Sequence, residues 1–117
     1  MVLDNGDNVL PEPEKKSGWR QEAGKWRYYH GNTGEPICND WHRDPDGRWY
    51  WFDGTGNLVV NTWKKSKNKW YYLGFDGAMV TNRLMQINSE IFAFGSNGEM
   101  LEGTFTIKTN ARGAIEL

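Results

Sequence analysis

A single cysteine, Cys38, stands among the 117 residues of this chain. It excludes an internal disulfide framework, and no metal-binding or redox spacing surrounds it, so it reads as a small structural side chain. No apolar run approaches the roughly 18 residues of a membrane-spanning helix. Neither sign of charge dominates: 14 Lys and Arg stand against 15 Asp and Glu, a formal net charge of -1. That balance lacks the electrostatic footprint that nucleic acid or an anionic membrane requires, so neither partner is expected. Met1-Val2-Leu3-Asp4 begins nothing like a secretory signal. The expectation is either a module from a longer protein or export by a route that needs no such signal. Hydrophobic residues reach only 38%, yet aromatics make up 15%, so rings replace aliphatic side chains as the cohesive material.

What the chain does have is a period. An opening large residue, a polar turn, an aromatic strand, a glycine turn and a short apolar strand recur about every 21 residues. The copies run from Trp19 through Trp26-Arg27-Tyr28-Tyr29 to Gly34, and from Trp41 through Trp49-Tyr50-Trp51-Phe52 to Gly56. A third runs from Trp63 through Trp70-Tyr71-Tyr72-Leu73 to Gly77, and a degenerate fourth from Leu84 through Ile91-Phe92-Ala93-Phe94 to Gly98. Such a period marks a unit that cannot bury its own apolar face and stacks on its neighbours to do so. The predicted fold is all-β: a solenoid of stacked hairpin repeats over 17–38, 39–60, 61–81 and 82–103, closed by a terminal hairpin over 104–117. The module thus spans residues 17–117, and residues 1–16, rich in charge with Pro11 and Pro13, form a linker or tether.

Turn chemistry supports this layout. Glu22-Ala23-Gly24, Asp44-Pro45-Asp46-Gly47, Ser66-Lys67-Asn68 and Asn88-Ser89 separate paired strands, and Gly34, Gly56, Gly77 and Gly98 supply positive φ at a second set of turns. Ile37, Leu58-Val59-Val60, Met79-Val80 and Met100-Leu101 follow those glycines and are expected between repeats. Nothing reads as a helix.

Alternate residues of a strand face opposite ways, so the middle member of each aromatic triplet has a job different from its neighbours. That middle position holds Arg27, Tyr50, Tyr71 and Phe92, and the non-aromatic case falls in the repeat with nothing before it. The opening and strand-leading positions hold two Trp in repeats one to three, but Leu84 and Ile91 in the last. Both observations follow if each functional set spans a junction. Three sets result: Trp19, Trp26 and Tyr50; Trp41, Trp49 and Tyr71; Trp63, Trp70 and Phe92. Rings used only as core would leave a structural or oligomerising stalk. Against that stands the need of every buried indole N–H and phenol O–H for a partner, which Leu and Val would avoid.

Converging aromatic faces attract a weakly hydrated cation such as a quaternary ammonium, at about 0.5 to 2 kcal/mol per ring. One such cage binds at about the millimolar level, and three on a rigid array facing a polymer gain avidity of about 10² or more. At this point Gly18-Trp19, Gly24-Lys25-Trp26 and Lys69-Trp70-Tyr71-Tyr72-Leu73 to Asp76-Gly77-Ala78-Met79 carry a resemblance to the choline-binding cell-wall repeat family, over about residues 17 to 103. The resemblance implies a β-solenoid that binds choline on teichoic acids between repeats, in a surface protein or a bacterial or phage lysin. It implies an extracellular or cell-wall location, a choline-bearing polymer as partner, and an attached or partner hydrolase. Two copies could further pair through the terminal hairpin. The family's methionine beside the cage corresponds to Met79 and Met100, with Leu58 in the second repeat and Pro36 in the first. The Gly-Trp dipeptide occurs once, later copies having Asp40-Trp41 and Thr62-Trp63, and Phe92 replaces the usual third Tyr or Trp. Related repeats in large toxins and glucan-synthesising transferases are similar too, so glucan or oligosaccharide binding is the alternative.

Catalysis is not expected. His42, Asp44 and Asp46 flank Pro45 and Gly47 and read as a turn rather than a metal site. Asp53, Asp76 and Glu99 recur beside glycine turns, where carboxylates bond local backbone. His30 stands alone in a turn, and no cofactor is implied.

Overall fold

The structure, a computed structural model, describes residues 15–117. Most of the tether expected over residues 1–16 therefore lies outside the described residues. Its last two members already dock on the first repeat: Lys15 Nζ donates to the carbonyl of Asn32 at 3.1 Å, and Lys16 pairs with Glu22.

Among the described residues ten strands form five antiparallel hairpins, each its own two-stranded sheet. β1 (Gly18–Glu22) pairs with β2 (Lys25–Tyr29), β3 (Asp40–Arg43) with β4 (Trp49–Phe52), and β5 (Thr62–Ser66) with β6 (Lys69–Leu73). β7 (Arg83–Ile87) pairs with β8 (Glu90–Phe94), and a short terminal ladder joins β9 (Lys108–Thr109) to β10 (Ile115–Glu116). The body measures 72 × 30 × 25 Å, the elongated shape of a solenoid. No helix occurs among the described residues.

Local chemistry explains the hairpins. Ala23-Gly24 and Lys67-Asn68 each place both turn residues at positive φ, between 50° and 76°, which matches the right-handed twist of the flanking strands. The second hairpin has a longer loop, closed by Asp44 N–H to the Arg48 carbonyl and Gly47 N–H to the Asp44 carbonyl, both 2.9 Å. After each aromatic strand the chain turns and returns as a single bridge: Tyr29 to Pro36, Phe52 to Leu58, Leu73 to Met79 and Phe94 to Met100.

A lone two-stranded hairpin is marginal in water, so the stack must supply the stability. Register decides which side chains meet. Trp41 faces Trp51 and Arg43 faces Trp49 across β3–β4, whereas His42 faces Tyr50 and Asp40 faces Phe52. Cross-strand partners share a face, so each hairpin has a forward face carrying its opening and strand-leading Trp and a back face carrying its middle aromatic. Forward faces pack on the back faces of the following hairpins. The core lies in these junctions: Phe52, Leu73, Val80 and Phe94 are fully buried, each large side chain contributing about 2 to 3 kcal/mol. Ile37 and Val80 of the short apolar runs are buried as expected, but Val60 is 41% exposed.

Main-chain bonds lock the stack. The N–H groups of Leu58, Met79 and Met100 donate to the carbonyls of Trp26, Trp49 and Trp70, each at 2.8 Å. The equivalent position in the first repeat is Pro36, which has no N–H to donate.

The two ends differ. The back face of the first hairpin carries Arg20, Glu22, Lys25 and Arg27, with Glu22 linked to Lys16 and Arg27. On the forward face of the fourth hairpin, Leu84 and Ile91 remain 39% and 69% exposed, and Phe105, Ile107 and Ile115 of the terminal segment are exposed as well.

Candidate functional site

Three aromatic groups recur at the three junctions between the first four hairpins, with nearly the same geometry. In each, the opening Trp is a hub standing edge-on to two other rings. Trp19 lies 6.3 Å from Trp26 at 79° and 4.9 Å from Tyr50 at 76°. Trp41 lies 6.4 Å from Trp49 at 89° and 5.7 Å from Tyr71 at 72°. Trp63 lies 6.4 Å from Trp70 at 89° and 4.9 Å from Phe92 at 73°. The nine ring residues drawn from the sequence thus meet in the three predicted sets, two rings from one repeat and one from the next.

These junctions are boxes rather than closed cores. Trp26, Trp49 and Trp70 keep 44%, 39% and 39% of their surface exposed, although each sits on a face that packs against the next repeat. A cavity of about 490 Å³ opens at the second junction, walled by Trp41, Trp49, Tyr71 and Met79. One of about 310 Å³ opens at the third, lined by Trp63, Trp70, Phe92 and Met100 alone. The fourth wall is the residue whose N–H bonds the strand-leading Trp carbonyl, which makes it Leu58, Met79 and Met100 in turn. Because the box spans the junction, Pro36 belongs to none of them, and the first box takes Leu58.

At the walls of the first and second boxes, glycine permits a close approach. The turn glycines Gly77 and Gly98 lie against Leu58 and Met79, the wall residues of the repeats before them. A Cβ on Gly77 would lie 2.7 Å from Leu58 Cδ2, and one on Gly98 would lie 2.2 Å from Met79 Sδ. Both glycines also have φ near +85°, so the turn and the close approach demand the same residue.

A second row of contacts crosses the same junctions, and sequence reasoning missed it. Tyr28 stacks on His42 at 3.8 Å and 26°, Lys64 Nζ sits 3.9 Å from the centre of the Trp51 ring, and Tyr72 joins a cluster with Met85. The partner follows each opening residue by one position, so period-two alternation was the available signal. At the first junction, Asp44 accepts from the Trp19 indole N–H and pairs with His42 Nε2 at 2.6 Å. Asp44 thus does more than turn the chain, whereas Asp46 is the expected turn residue, accepting from the Arg48 N–H at 3.0 Å. Burial raises the Tyr50 phenol above its usual pKa.

Asp53 and Asp76 bond local backbone, and Asp76 also pairs with Arg48 of the preceding hairpin at 3.6 Å. Asp53 accepts from the Thr55 hydroxyl at 2.7 Å and from the Thr55 and Asn57 N–H groups, and these bonds hold its pKa below the usual value. Asp76 caps the Ala78 N–H at 3.0 Å in the same manner. Among the described residues no three His, Cys, Asp or Glu side chains gather to hold a metal ion.

Comparison with known proteins agrees with this geometry. Residues 62–105 match the choline-binding repeat family, and residues 17–35 and 39–58 match the cell wall binding repeat family. No curated protein matches the chain. Among solved structures, the choline binding domain of Spr1274 from Streptococcus pneumoniae is 30% identical, with a TM-score of 0.60, over 74% of this chain and 96% of that one. The modular Cpl-1 endolysin, solved with a peptidoglycan analogue, is 31% identical over 93% of this chain, with a TM-score of 0.66. A pneumococcal cell wall endolysin from phage Cp-1, solved with choline, is 30% identical over 98% of this chain, with a TM-score of 0.65. The chain spans about a third of the length of these endolysins, 33% and 34%.

Proposed function

This chain belongs to the choline-binding cell-wall repeat family, and from that premise we propose that its three boxes bind choline groups on a cell-wall polymer. One observation carries the reading: at each junction a hub Trp stands roughly perpendicular to two rings, and at the second and third a cavity opens among them. Such faces present the negative side of their quadrupoles to a quaternary ammonium, and the apolar wall of Leu58, Met79 or Met100 removes water that would compete for it.

The module is a binding element without catalysis of its own. Its work is to hold an attached or partner hydrolase, of the lysin kind, at the outer envelope of a bacterium whose polymers carry choline. Three weak sites on a rigid array suit a polymer that repeats the ligand, because every site after the first binds at high effective concentration. The exposed Phe105, Ile107 and Ile115 are the surface on which two copies would pair.

Choline titration followed by Trp fluorescence tests this directly. A saturable change at millimolar choline is expected, with none from a glucan oligosaccharide. The opposite pattern would move the boxes to sugar recognition, and silence to both would leave the rings as a structural stalk.

A further inference from the structure

Two residues break the repeat and meet at one place outside the boxes. The turns after the aromatic strands close from the N–H groups of Gly56, Gly77 and Gly98 to the carbonyls of Asp53, Gly74 and Gly95, each at 3.0 Å. The second position of those turns holds Gly54 and Ser96 in the second and fourth repeats, but Phe75 in the third. That ring is 82% exposed, so burial does not account for it. The first residue of the opening strand is Gly18, Asp40 and Thr62 in the first three repeats, but Arg83 in the fourth. Arg83 is exposed, and among the described residues it pairs with no carboxylate.

Phe75 and Arg83 line one open trough of about 400 Å³ together with Arg48, Asp76 and Thr81, so three successive repeats contribute to it. Asp76 is held at both oxygens: Oδ1 accepts from the Ala78 N–H at 3.0 Å, and Oδ2 lies 3.6 Å from Arg48 Nη1. Arg48 also reaches Asp46 at 3.8 Å, so two carboxylates share its charge and Arg83 is the cation left over. Met79 and Thr81 line both this trough and the middle box, but no Trp lines the trough.

An exposed ring beside fixed polar groups suits a saccharide. The negative face of the ring attracts the C–H groups on the apolar face of a pyranose, a held carboxylate accepts from hydroxyls, and an unpaired guanidinium offers its planar fork to an anion. A protein partner fits less well, because Phe75 is the single exposed large apolar side chain in the trough. We propose that the trough binds a carboxylate-bearing sugar: Phe75 stacks on the sugar ring, Asp76 accepts from its hydroxyls, and Arg83 holds its carboxylate. This site is separate from the boxes and goes beyond the choline reading without depending on it.

The test follows the backbone amide resonances of Phe75, Asp76 and Thr81 by NMR while the whole chain is titrated with N-acetylmuramic acid and, separately, with N-acetylglucosamine, which lacks the lactyl carboxylate. Both sugars should shift these amides in a saturable way, the acid binding about threefold tighter at low salt, and salt should erode that advantage. Phe75→Ser should abolish both responses. Arg83→Gln should keep the response to N-acetylglucosamine and bring the acid down to the same affinity. Because both side chains are exposed, the amide resonances of the first hairpin should match the wild type in either variant, which separates loss of the site from loss of the fold. Undiminished binding in Phe75→Ser, an unchanged preference for the acid in Arg83→Gln, shifts centred on Trp41 and Trp49 instead of Phe75, or silence to both sugars would each overturn the proposal. A choline titration of the indole N–H resonances reads the boxes separately, so the two readings can fail one without the other.

Discussion

The indole N–H of Trp19 donates to the carboxylate of Asp44, 25 positions along the chain, at 3.1 Å to Oδ1 and 3.2 Å to Oδ2. The bond ties the hub of the first box to the loop of the following hairpin. The same carboxylate holds His42, which stacks on Tyr28, so one side chain joins the ring box to the second row of contacts. Asp44→Ala leaves a partly buried indole N–H and an imidazole without their acceptor. It should cost about 1 to 2 kcal/mol in chemical denaturation and weaken ligand binding at Trp19 without affecting the box at Trp63. Asp44→Asn, which retains an acceptor oxygen, should recover part of the loss.

Hub and strand-leading tryptophans should separate stability from binding. Trp63 touches Trp70, Tyr72, Phe92 and Phe94, whereas Trp70 is 39% exposed. Trp63→Ala should destabilise the chain by about 3 kcal/mol, and Trp70→Ala by less than about 1 kcal/mol. Both should abolish choline binding at the third box. Equal losses of stability would mean that the box is ordinary core.

Gly98→Ala should act at a distance. The new methyl group collides with Met79 and also sits at φ 86°, so a cost of about 1 to 3 kcal/mol is expected. Because Met79 walls the middle box, choline binding reported by Trp41 should change while that reported by Trp63 does not. A variant with unaltered binding at Trp41 would show that the glycine matters to the turn alone.

Asp53 should contribute stability with a defined pH dependence. Its folded pKa lies below the unfolded value, first through the Thr55 hydroxyl, so its contribution is complete above the unfolded value near 3.8 and fades as pH falls through the folded value. Asp53→Asn should therefore lower stability at pH 7, by about 1 kcal/mol after allowance for solvent screening, and make a smaller difference at pH 3. Denaturation of both proteins at the two pH values checks the sign.

Much of the site was legible because it is written in period and in end effects. The middle position holds Arg27 in the first repeat where later copies have a ring, and Leu84 with Ile91 replace both Trp in the fourth, an inequality that points to ring sets across junctions. Which wall residue belongs to which box was less legible. Pro36 stood in the corresponding sequence position, and only the bonds from Leu58, Met79 and Met100 to the preceding repeat show that the wall comes from the later hairpin. Asn39, Asn61 and Asn82, all near φ 50°, also went unremarked. They resemble ordinary loop polar residues, yet each turns the chain in the left-handed conformation that Asn tolerates better than most residues.

By itself the sequence determined the all-β repeat, the hairpin turns and the grouping of rings, since turn residues and alternation are local rules that hold before any packing. Tertiary structure alone decided how those groups differ. Whether Asp44 closes on the Trp19 ring and His42 stacks on Tyr28 depends on which back face meets which forward face. Those partners are brought together by stacking, about one repeat apart in the chain, and local propensity has no means of pairing them.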